Sequence, residues 1–122
     1  MNPLKFLPGN ALLTSFAVPP GLATGHGGQV IEVVTFQFKP GVSVAEFAPI
    51  DHAVERDHVA KQPGFVSRES AHGAQGEWLV IVHWQSAQDA DASMATFEQA
   101  PAAASFMSKI DASTMRMKRY QR

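Results

Sequence analysis

The chain has 122 residues, with 10 Lys and Arg against 11 Asp and Glu and a formal net charge of -1. That balance gives no electrostatic case for binding nucleic acid or an anionic membrane. With no cysteine, disulfides, thiolate catalysis and zinc–thiolate sites are excluded, and the composition fits the cytoplasm.

The chain reads as an arm over residues 1–28 followed by one domain over residues 29–122. The arm carries turn signals at Pro8-Gly9 and Pro19-Pro20-Gly21, with an apolar patch from Ala11 to Val18 between them. Its secretory-signal look is faint: a single basic residue, an interruption at Pro8-Gly9-Asn10 and no small-residue cleavage site. The expectation is an arm docked on the domain or on a neighbouring subunit, hinged at Gly25-His26-Gly27-Gly28. No apolar run approaches the ~20 residues of a membrane span.

A first strand is predicted from Val30 to Lys39, apolar on both parities and ended by Pro40-Gly41. Ser43-Val44-Ala45-Glu46 has the capping-box pattern, opening a helix to about Lys61 with a kink or restart at Pro49. Pro63-Gly64 stops it. Phe65 to His72 reads as a more polar, edge-like strand, and Gly73–Gly76 as a hairpin loop. Trp78 to Trp84 is again apolar on both faces: Trp78, Val80, Val82 and Trp84 on one, Leu79, Ile81 and His83 on the other. Ser86 with Asp89 caps a helix running to about Glu98, and Pro101 opens a short further helix at its first position. Ser113 to Gln121 is the last strand. The basic bunch Arg116, Lys118, Arg119 and Arg122 reads as a solvated, charge-protected edge.

The order β-α-β-β-α-β is the split βαβ, ferredoxin-like pattern of an α+β domain with a four-stranded antiparallel sheet. Its first and third strands are central, and those are the two apolar on both faces. Two helices cover one face only. The other still carries Ile31, Val33, Leu79 and Ile81, so a two-fold homodimer with the sheets face to face is expected, making a dimeric α/β barrel.

Between sheet and helices, Trp84, Phe36, Val80 and Glu69 are candidate substrate-binding residues, in an apolar pocket suited to a small aromatic or cyclic ligand. A simple hairpin over Gly73–Gly76 places Phe65, Ser67 and Glu69 on that side. His58 is the candidate catalytic base, sharing the stripe of Phe47, Ile50 and Val54 on the first helix. Asp51, Glu55 and His58 also share a helix face with metal-ligand residue types, although amphipathic helices often carry acids along such a rim. His83, with His72 on the same face, is assigned to the partner sheet. No serine elbow, phosphate loop or dinucleotide fingerprint is present.

From Val30 onward the chain resembles the dimeric α/β-barrel superfamily, especially antibiotic biosynthesis monooxygenase-like domains. The resemblance rests on Val34-Thr35-Phe36-Gln37-Phe38-Lys39-Pro40-Gly41, Gln62-Pro63-Gly64-Phe65 and Val80-Ile81-Val82-His83-Trp84-Gln85-Ser86. It implies a homodimer and a cofactor-independent oxidoreductase acting on a small aromatic or enolisable substrate without flavin, haem or metal. Members of that kind carry an Asn and a Trp in the third strand; Trp84 matches the Trp, and Val80 stands at the Asn position. Haem-degrading members use positions that fall here on Val34, Ser93 and Ala103, none of them a matching residue. Others isomerise or dehydrate small lactones and acids. The competing expectation is a non-catalytic ligand-binding or stress-associated domain of the same fold.

Overall fold

The structure, a computed structural model, describes residues 28–122. The expected arm lies outside the described residues, apart from Gly28. The elements are β1 (Val30–Phe38), α1 (Val44–Asp57), a 3-10 turn (Val59–Lys61), β2 (Phe65–His72), β3 (Glu77–Trp84), α2 (Ala87–Phe97), α3 (Pro101–Ser108) and β4 (Ile110–Gln121). They form one four-stranded antiparallel sheet in the order β2-β3-β1-β4. This is the expected α+β, ferredoxin-like βαββαβ arrangement. Among the described residues no helix is long and apolar enough to cross a membrane.

The two central strands divide their faces as their alternation predicts. Val30, Glu32, Phe36 and Phe38 of β1, and Trp78, Val80, Val82 and Trp84 of β3, are buried beneath the helices. Ile31, Val33, Leu79, Ile81 and His83 are half-buried on the open face. Both predicted caps form. Ser43 Oγ accepts from the Glu46 N–H at 3.1 Å, and Ser86 Oγ from the Asp89 N–H at 3.1 Å. α1 is a single helix that passes through Pro49 without restarting. It ends at Asp57, earlier than expected, because His58 leaves helical geometry (φ -132°, ψ -65°) before the 3-10 turn.

Two registers differ from expectation. β4 begins at Ile110, earlier than Ser113, because an irregularity opposite Thr35/Gln37 lets the chain pair on both sides of it. There the Gln37 N–H takes the Thr114 hydroxyl as acceptor, at 2.8 Å, in place of a ladder partner. In β2, Gly73 lies opposite Glu77, its N–H donating to the Glu77 carbonyl at 2.8 Å. The connecting loop is therefore three residues long, and Gln75 and Gly76 take left-handed φ values of 58° and 79° to close it. That shifts β2 by one residue relative to a four-residue loop. A bulge between Phe65 and Ser67 absorbs the shift, so Phe65 still sits opposite Trp84.

One end of the core is filled by rings. Phe47 is fully buried and packs within 5.7 Å, centroid to centroid, of Phe36, Phe38, Trp78 and Phe106. Side chains that interdigitate this way leave no room for a ligand.

Candidate active site

The other end of the core is not filled. A partly open cavity of about 90 Å³ lies between the sheet and the helices. Its sheet wall is Glu32, Val34, Phe36, Val80, Val82 and Trp84; Val54, Ser93, Phe97 and Phe106 close it from the helices. Val59, Arg68, Met94, Met107, Met115 and Met117 complete the lining, and the unbranched thioethers can shift to fit an occupant. For scale, an apolar cavity of about 150 Å³ admits benzene. This one is smaller, so it admits a single small ring only as the methionine side chains shift, and not a fused polycycle.

Beside Arg68 and Ser93, the wall carries one buried acid, Glu32, 6% exposed. It follows from one acid at an inward position of an otherwise apolar central strand. Arg119 of β4 lies directly opposite and donates from Nε to Glu32 Oε2 at 3.0 Å. Arg119 also donates from Nη1 to Asp91 Oδ1 of α2. Burial pushes the Glu32 carboxyl up from its ordinary 4.5, against the opposing pull of the Arg119 charge and its hydrogen bond and of the Trp84 N–H; Asp91 adds to the upward shift. Burial opposes the Arg119 charge in turn, but Glu32 and Asp91 outweigh it and leave its pKa raised. The Trp84 indole N–H is near enough to favour the Glu32 anion, yet it has no hydrogen-bond acceptor. Sequence reasoning missed Glu32, although its inward parity was visible, and misread Arg119 as a solvated edge charge. Its side chain is 8% exposed; Arg116, Lys118 and Arg122 are exposed as expected.

Trp84, Phe36 and Val80 line the cavity. Glu69 does not: the one-residue shift in β2 pairs it with Ile81, on the opposite face, where it is exposed. The same shift brings Arg68 and Ser70 under the helices and takes Ser67 away; it also moves His72 off the face of His83. His58 is buried but stands behind the cavity wall. Its Nε2 is 3.4 Å from the Ser93 carbonyl and its Nδ1 is 3.4 Å from the Gln62 amide nitrogen. This arrangement suits a tautomer that donates from Nε2 and accepts at Nδ1, tying the end of α1 to α2 rather than facing a substrate.

Asp51 and Glu55 share a helix face as expected, but both turn to Arg68. The guanidinium is bidentate to Asp51 at 2.7 and 3.0 Å and reaches Glu55 at 3.4 Å. Among the described residues no group of three or more His, Asp or Glu is placed to hold a metal ion.

No protein-family model and no curated protein sequence matches this chain. Solved structures do. SnoaB, a cofactor-independent oxygenase from Streptomyces nogalater, is 18% identical, with a TM-score of 0.65 over 79% of this chain and 94% of its own. An antibiotic biosynthesis monooxygenase-like protein from Caulobacter crescentus is 16% identical, with a TM-score of 0.65 over 81% and 93%. A conserved protein from Methanosarcina mazei is 13% identical, with a TM-score of 0.60 over 78% and 93%. At these identities the likeness carries the scaffold and not a reaction: the chain has the ferredoxin-like fold of antibiotic biosynthesis monooxygenase-like proteins.

Proposed function

We propose that the protein is a cofactor-independent, monooxygenase-like enzyme acting on a small aromatic or enolisable substrate, as a homodimer. The observation that carries this reading is the cavity of about 90 Å³. It is apolar along its length and has a carboxylate at one end, where a core of this size could have been filled. Trp84, Phe36 and Val80 would hold the ring. For a phenol the balance is simple: the ring exchanges a C–H for a second carbonyl oxygen from dioxygen, the other oxygen leaves as water, and a quinone results. The substrate anion supplies the electrons and dioxygen is the oxidant. The fold shared with a cofactor-independent oxygenase supports this reading.

Val80 on the cavity wall favours a second reading, a non-catalytic ligand-binding protein, because a valine cannot hydrogen-bond a substrate oxygen there. An oxygen electrode separates the two. Small quinols and enolisable acids are expected to give uptake above their own autoxidation. Val80→Phe, which fills the cavity, is expected to abolish that uptake at a cost of about 1–3 kcal/mol in stability. No uptake with any substrate, in protein verified as folded, would sink the enzyme reading.

A further inference from the structure

We infer that the Glu32 end of the cavity is a subsite for one hydroxyl group, with Glu32 as acceptor of its proton and the Trp84 indole N–H as donor to its oxygen. The inference rests on the reading that the cavity holds a small ring, and it names the chemistry that ring must carry.

The first observation is an unsatisfied donor. Among the described residues Trp84 Nε1 is the one buried side-chain nitrogen or oxygen without a hydrogen-bond partner, on a side chain that is 1% exposed. Buried donors are normally paired; this one lies close enough to Glu32 to favour its anion yet makes no hydrogen bond of normal geometry, so an oxygen in the cavity beside both groups would complete them. The second observation is Glu32 beside it on the same wall, on the neighbouring strand. Arg119 Nε occupies one lone-pair direction of that carboxylate, and a carboxylate offers about four. An occupant must therefore accept from Trp84 and donate to Glu32 at once. A carbonyl accepts only, and an ammonium donates only. A carboxylate would accept from Trp84 but meet the negative charge of Glu32. A hydroxyl does both, and the apolar walls favour one carried on a small ring, phenolic or enolic, over water.

The groups around Glu32 decide what happens to the proton. Arg119 faces it from β4, Asp91 from α2 through Arg119, and Trp84 from β3. Arg68, the other charged residue on the cavity wall, is held by Asp51 and Glu55. Burial strengthens the hold of Glu32 on a proton, which narrows its gap to a phenol. In the transfer the ligand O–H bond breaks, its electron pair stays on the ligand oxygen and the proton joins the Glu32 carboxylate. The Trp84 N–H then faces the oxyanion.

Phenol and toluene test this, because they match in shape and differ in the hydroxyl. Toluene leaves water more readily, so a purely apolar cavity prefers it. In calorimetric titrations the full-length protein is expected to bind phenol about tenfold more tightly than toluene, a typical return for hydrogen bonds to a charged group. That preference is expected to shrink on acidification, as Glu32 takes a proton and loses the charge that strengthens its hydrogen bond, and to shrink in Glu32→Gln, whose neutral amide oxygen accepts more weakly, and in Trp84→Phe. Far-UV circular dichroism checks both variants, and the wild-type ratio stands even if one fails to fold. Toluene bound as tightly as phenol by the wild type overturns the subsite and leaves the cavity reading intact. An unchanged ratio in both folded variants also overturns it. Failure of both molecules to bind overturns the cavity reading along with it.

Discussion

Asp51 shows how much one buried side chain can organise. Its carboxylate accepts from Arg68, from the Ser70 hydroxyl and, at 3.3 Å, from the Trp78 indole N–H. The Asp51 and Arg68 side chains are only 5% and 3% exposed. Removing one member of such a pair strands a charge in the core. Asp51→Ala is therefore expected to destabilise the fold by about 3–5 kcal/mol in urea denaturation, with most of the loss recovered in Asp51→Leu/Arg68→Met. The sequence displayed Asp51 on an amphipathic helix, where it reads as a rim acid. Its partner could not be named from sequence because Arg68 was assigned to the wrong face. Glu32 was more accessible: an acid flanked at spacing two by Val30 and Val34, with Phe36 at spacing four, marks a charge that must find a partner or a ligand. His58 shows the opposite outcome, a plausible base that the fold spends on joining helices.

Among the elements, the link between Gly64 and the start of α2 is the tightest. Gly64 has φ +82°, and a Cβ there would lie 2.1 Å from Asp89 Oδ2 and 2.5 Å from Asp89 Cβ. Asp89 in turn accepts from the Ser86 hydroxyl at 2.9 Å while its own N–H donates to Ser86 Oγ. Gly64→Ala is expected to cost about 1–3 kcal/mol through backbone strain and the clash, and Ser86→Ala about 1 kcal/mol through the lost cap. Because both act through Asp89, the double variant should lose less than the sum, which a thermal or denaturant double-mutant cycle measures. Element order, both caps and the faces of β1 and β3 were legible in the sequence, because alternation and capping are local signals. The parity of β2 was not. It depends on the number of residues in the loop and on a bulge at Phe65/Ser67, neither of which leaves a compositional trace.

At the scale of the molecule, the core has a sealed end built on Phe47 and a hollow end at Glu32. The sheet's second face remains without helices. Ile31, Val33, Leu79 and Ile81 on that face are half-buried in the single chain, and the proposed homodimer would cover them. Light scattering at micromolar concentration is expected to give twice the chain mass, and a monomeric mass would refute the dimer. The β2–β3 loop also carries a constraint that its exposure conceals. Exposed loops ordinarily accept changes of length. Here the loop acts as a reading frame for the sheet. Adding or removing one residue between His72 and Glu77 shifts the frame, exchanging Arg68 for Glu69 beneath the helices and setting a second acid against Asp51. Adding two residues restores the frame. Length variation at this loop should therefore come in even steps, or be matched by gain or loss of the bulge at the far end of the strand.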